Sequence, residues 1–117
     1  VSYLSHTNLK SYINRHVSLE GGNYERTQDN IILYDTTAIP SVVQPDEVIT
    51  IESLTSIKLA KGLAQIVLNP KLYDYGLVSS AGILTPSAES RPIRCHWDAF
   101  KGIDIQLPYY AKLYFYV

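Results

Sequence analysis

The sequence predicts one mainly β domain, a barrel or sandwich preceded by a single short helix. Short β-branched and aromatic runs recur about every ten residues, divided by Pro, Gly, Asn and Asp, and helical periodicity is confined to the N-terminal end. Such a rhythm suits a barrel or sandwich rather than an alternating α/β fold. At 117 residues the chain has the size of one domain and can bury an adequate core. No repeat, low-complexity stretch or linker divides it, so residues 1–117 are read as one unit.

In order along the chain, Leu9, Tyr12, Ile13 and His16 or Val17 recur at helical spacing behind Ser5. This predicts a helix over about 5–16 with Ser5 as N-cap, because a Ser side chain accepts from the free N–H groups of a first turn. Gly21-Gly22-Asn23 carries strong turn chemistry and is expected to end that helix. Strands are then expected at Ile31 to Tyr34, at Val42-Val43, and at Glu47 to Ile51 after a Gln44-Pro45-Asp46 turn. Ile57 to Leu59 and Leu63 to Leu68 follow, separated by Lys61-Gly62. Asn69-Pro70 breaks the pattern, and Leu72 to Tyr75 suits a short helical turn before Gly76. Leu77-Val78, Ile83-Leu84, Ile93 to Trp97, Ile103 to Leu107 and Ala111 to Val117 complete the series. The last is a dense run of β formers that would be adhesive if left unpaired, so burial in the domain or in a subunit contact is expected.

Ten basic and eleven acidic residues leave a net charge of −1, which offers no long-range field for a polyanion. Nucleic-acid binding is not expected. One cysteine, Cys95, excludes an internal disulfide and any zinc site with two thiolates. No apolar run approaches the length that spans a bilayer, and the start lacks a basic-then-apolar secretion pattern. The expectation is synthesis in the cytoplasm and no membrane partner. The chain contains no Met, which fits an initiator removed ahead of Val1 and equally a trimmed chain.

Cys95-His96-Trp97-Asp98 is the most reactive-looking stretch, but neighbours on a strand point to opposite faces, so Cys95 and His96 should diverge. Core use of Cys95 and Trp97 is the simpler reading. His6, His16 and His96 have no metal-ligand spacing. No metal and no cofactor are expected. Ten tyrosines against two phenylalanines and one tryptophan form the compositional oddity. Tyrosine joins an apolar body to a polar tip and suits partly wet sheet faces and interfaces. Tyr109, Tyr110, Tyr114, Phe115 and Tyr116 are the candidate interface. Tyr109-Tyr110 with Tyr114 and Tyr116 could stack bases, but the stretch lacks the series of interleaved basic residues that this would require, Lys112 standing alone.

The order of motifs resembles the dCTP deaminase and dUTPase superfamily over nearly the whole chain. Leu4-Ser5-His6-Thr7-Asn8-Leu9-Lys10-Ser11-Tyr12-Ile13 resembles the opening helix of dCTP deaminases, and Thr27 to Leu33 loosely resembles the strand that follows. Val43-Gln44-Pro45-Asp46-Glu47-Val48 through Leu59 resembles their PGExVLxxTxExIxLP segment, and Leu63-Ala64-Gln65-Ile66 their LxAxI. Asn69 to Leu77 lies over RSSLARxGL and keeps Leu72, Gly76 and Leu77. Ser80-Ala81-Gly82-Ile83-Leu84-Thr85-Pro86 lies over TAGxIDPG and keeps Ala81, Gly82 and Pro86. Leu113-Tyr114-Phe115 resembles the closing QLVF strand.

The resemblance implies a dUTPase-like, β-clip type, distorted barrel or sandwich that forms homotrimers. It also implies that the family's chemistry is lost. Asn69, Pro70 and Lys71 stand where an Arg-Ser-Ser group grips phosphates, and Pro70 offers neither hydroxyl nor N–H. Thr85 replaces the turn aspartate, and Cys95 falls where the deaminases carry their general-base glutamate, whose role a thiol does not duplicate. The mobile arm that closes over the phosphates has no counterpart before Val117. Lys71, Glu89, Arg91 and Arg94 could retain weak contact with an anion, although a solvated rim is the simpler reading. No catalytic residue is assigned. The expected function is a non-enzymatic structural or interaction protein on a trimeric scaffold, self-associating and bound to other subunits, most concretely a viral or phage capsid decoration or cement protein on the virion surface. The alternative is a divergent dCTP deaminase or dUTPase, or a nucleotide-binding regulator.

Overall fold

Alternating burial builds two antiparallel sheets whose inner faces share one apolar core. A computed structural model describes residues 1–40, 44, 46–100 and 106–117. Among these the helix α1 spans His6–His16, followed by strands β1 (Val17–Glu20), β2 (Tyr24–Arg26), β3 (Ile31–Leu33), β4 (Ile49–Leu59) and β5 (Leu63–Leu68). A one-turn helix α2 (Lys71–Asp74) precedes β6 (Val78–Ser80), β7 (Ile83–Leu84), β8 (Arg91–Trp97) and β9 (Ala111–Tyr116). The four-stranded sheet runs β1-β4-β8-β6 and the five-stranded sheet β2-β3-β9-β5-β7. The mainly β class with one longer helix therefore stands. The Val42-Val43 strand and most of the one expected at Ile103 to Leu107 lie outside the described residues.

β4 shows the logic most plainly. Every second residue from Ile49 to Leu59 is buried, as period-two geometry requires of a strand with one face inward. Its inward positions include Ser53 and Thr55, and that polar middle hides the continuity: two strands are expected here and one 11-residue strand is found. The register against β8 shifts between Glu52 and Ser56. At that irregularity Ser53 Oγ accepts the Ile93 N–H at 2.8 Å, and the Thr55 hydroxyl donates to the Gly21 carbonyl at 2.9 Å. Buried polar groups are tolerable because they are paired.

α1 buries Leu9, Tyr12 and Ile13, the helical stripe read from the sequence. Two details differ. Ser5 holds the N-cap position, but its side chain makes no capping bond; its carbonyl accepts the Leu9 N–H at 3.3 Å. The helix ends at the expected His16, but what ends it is Val17 turning extended to pair with Leu59 rather than Gly21-Gly22. The two glycines instead turn β1 into β2. The Lys61-Gly62 turn is found, with Gly62 at φ 79°, a conformation open to glycine and strained for other residues.

The core draws on both sheets: Ile51, Ile57, Ile93, Cys95 and Trp97 from one, and Ile31, Leu33, Ala64, Leu113 and Phe115 from the other. Tyr110 ties the layers together, its hydroxyl donating to the Ile93 carbonyl at 3.1 Å. No helix among the described residues is long and apolar enough to cross a membrane.

Candidate functional site

Of the positions where the resemblance places lost chemistry, Asn69 and Cys95 are buried and Lys71 and Thr85 are exposed, and within one chain they do not form one cluster. Asn69 is buried; its amide donates to the Tyr109 carbonyl at 2.8 Å and its side-chain oxygen accepts the Lys71 N–H at 3.0 Å. It thus clamps the end of β5 to the entry of β9. Pro70 leads into α2, and Lys71 is exposed. Trp97, at the far end of β8, donates its indole N–H to the Leu72 carbonyl of α2 at 2.9 Å. Thr85 is exposed and its carbonyl accepts from Arg91, the first residue of β8, at 2.5 Å. Arg91 and Trp97 stand six residues apart on an extended strand, about 20 Å. Within one chain, Thr85 and the Asn69 to Lys71 turn therefore sit at opposite ends of β8.

Cys95 lies between them, fully buried and facing the core. Burial pushes its thiol pKa up, against a smaller opposing effect of a hydrogen bond with Tyr110. A protonated, enclosed thiol is a poor nucleophile. His96 points to the other face, half exposed, 3.6 Å from Asp98. Ser79 approaches the same carboxylate at 3.4 Å. Ser79 and His96 are opposite each other in the β6–β8 ladder, but the hydroxyl is directed to the carboxylate and not to the imidazole, unlike the hydroxyl of a serine nucleophile. His6 and His16 occupy opposite ends of α1, about 15 Å apart, and His96 is on β8. Arg94 is engaged by Glu52 at 2.5 Å, while Glu89 is exposed.

Burial also pushes the Tyr110 phenol far above its ordinary pKa, with a smaller contribution from the neighbouring Cys95. Both groups stay protonated in the fold, while the unfolded chain releases their protons above about pH 9 to 10. Proton release then favours the unfolded state, so stability is full below that range and falls as pH rises through it. The loss approaches about 1.4 kcal/mol per pH unit for each group held neutral. Urea midpoints at about pH 7 and about pH 10.5 check this, and Tyr110→Phe should flatten the decline. Equal midpoints in the wild type would contradict it.

The candidate interface divides. Tyr110 and Phe115 are fully buried in the chain's own core, so they are corrected to core residues, whereas Tyr109, Tyr114 and Tyr116 remain partly exposed. Phe115 points inward because it lies between two outward tyrosines on β9. Around Tyr114 and Tyr116 the outer face of the five-stranded sheet forms a shallow groove of about 450 Å³ with Tyr3, Gln65 and Val67. The Tyr3 ring lies 6.1 Å from that of Tyr114 and 5.5 Å from that of Tyr116, and the Tyr116 hydroxyl donates to Gln65 at 3.1 Å. Gln65 pairs with both Tyr114 and Ile83, which sets the exposed Ile83 on this face. The one cation beside the patch among the described residues, Lys112, stacks over Tyr109 at 4.8 Å. Tyr3, Gln65, Val67 and Ile83 had no sequence signal, since register, not adjacency, brings them to the tyrosines.

Comparison with family models, curated proteins and solved structures finds no match to this chain.

Proposed function

We propose that the chain is a non-enzymatic interaction subunit that associates with copies of itself through the tyrosine-bearing outer face of its five-stranded sheet. The observation that carries this is the face itself: Tyr114 and Tyr116 on β9 with Tyr3 bridged beside them and packed against both rings, and Val67 and Ile83 exposed nearby. Interface cores are enriched in tyrosine and poor in charge, and this patch has that composition. The order and spacing of motifs shared with the dCTP deaminase and dUTPase superfamily support a dUTPase-like scaffold and a threefold assembly. A closed symmetric oligomer that has given up catalysis is suited to structural use, most concretely as a capsid decoration or cement protein.

Light scattering coupled to size exclusion tests the assembly. The expected mass is that of a trimer, shifting to monomer in a Tyr114→Ser, Tyr116→Ser double variant that retains its circular dichroism spectrum. A wild-type monomer across the accessible concentrations would remove the reading. The rival, a nucleotide-binding regulator, is favoured by one feature, a groove lined by Lys10 of α1 and Arg26 of β2.

A further inference from the structure

A groove of about 460 Å³ separates α1 from the β2–β3 hairpin. Thr7, Lys10 and Asn14 form its helical wall, and their spacing of three and four residues puts them on one face. Arg26, Thr27 and Gln28 form the other wall, and Ile13 contributes apolar floor. Lys10 and Arg26 thus enter one cavity from elements far apart in sequence. Neither is within salt-bridge distance of a carboxylate among the described residues. The nearby acid, Asp29, stands by His6 at 3.7 Å. The Thr27 hydroxyl is committed to Asn30 and stiffens the hairpin turn. His6 fixes the two walls together: it adopts φ 54° and its N–H donates to the Gln28 carbonyl at 2.5 Å. A non-glycine residue held there persists only when its surroundings impose it.

The walls therefore present two cations together with the neutral donors of Thr7, Asn14 and Gln28. A guanidinium fork and an ammonium matched to several acceptor oxygens is the chemistry that recognises phosphate. The volume is within the range of small-molecule sites. We propose that this groove binds a phosphate-bearing small molecule through Lys10 and Arg26. The proposal does not depend on the self-association reading, since the groove and the tyrosine face share no residue.

Calorimetric titration at low ionic strength with inorganic pyrophosphate and, separately, with adenosine monophosphate tests it, accompanied by backbone amide shifts. Saturable binding of either is expected, with shifts clustered at Thr7, Lys10, Arg26 and Gln28. Preference for the nucleotide would assign a role to the Ile13 floor, and preference for pyrophosphate a purely ionic site. Lys10→Ala and Arg26→Ala should each weaken binding about tenfold, the effect of one charge-assisted hydrogen bond. Lys58→Ala, which removes an exposed cation from β4, should change nothing. No saturable binding, equal weakening by Lys58→Ala, or shifts spread over the surface would overturn the proposal.

Discussion

Trp97→Ala should cost about 3–5 kcal/mol, the range for deleting a buried aromatic side chain. The side chain is fully buried on β8, between Ile49 of β4 and Val78 of β6 in the ladder, and its ring lies edge-on to Phe100 at 5.2 Å. It also holds α2 to the sheet through the Leu72 carbonyl. Truncation therefore opens a cavity and removes the shorter of two hydrogen bonds to the Leu72 carbonyl, leaving the one from the Tyr75 N–H at 3.3 Å. Against a total stability of about 5–15 kcal/mol for a domain, that is about a fifth or more of what holds the fold. Urea unfolding followed by far-ultraviolet circular dichroism would measure it, since the variant loses the chain's one tryptophan fluorophore. A cost below about 1 kcal/mol would mean that the β8–α2 junction is not the keystone described here.

Gly76→Ala is expected to be comparably severe, about 3 kcal/mol or more, for a different reason. Gly76 has φ 141°, and an added Cβ would fall 1.9 Å from the Ala99 carbonyl oxygen and 2.7 Å from its carbon. The obstacle is backbone, so no rotamer change relieves it; the segment after β8 would have to move. Gly82→Ala is the matched comparison, because a Cβ there meets nothing within 4 Å. It should stay within about 0.5 kcal/mol of the wild type. Similar losses for the two variants, measured by the same denaturant titration, would show that the clash is absorbed.

Both variants probe the stretch where sequence and structure agree best. Leu63 to Leu68 and Ile83-Leu84 form strands with the expected bounds, and the Lys71–Asp74 turn overlaps the expected one. These segments are short, apolar and bracketed by Gly, Pro or Asn, so local chemistry decides them. The helix bound at His16 is legible, but β1 directly after it is not, because no breaker or turn sets Val17 apart and only pairing with β4 makes the chain extended there. β2 is exposed throughout and has no alternation to read. Of the tyrosine face, Tyr114 and Tyr116 were legible from β9 alone. Its other members, like both walls of the cationic groove, come from separate elements and meet only through tertiary packing.

The position of β9 bears on how the molecule forms. It is the last of the described strands in sequence but lies at the centre of the five-stranded sheet, between β3 and β5, and residues 2–4 close onto its far end through Ser2 and Leu4. Until it arrives, β2–β3 and β5–β7 are two separate ribbons with bare edges, neither able to bury its apolar side alone. Their union waits on a contact between segments some eighty residues apart, such as Ile31 and Leu113. Closing so large a loop must precede the reward, which places the domain among slow folders, on the millisecond-to-second scale. The same late insertion leaves a nascent chain adhesive until β9 is in place, a hazard for synthesis rather than for the folded domain.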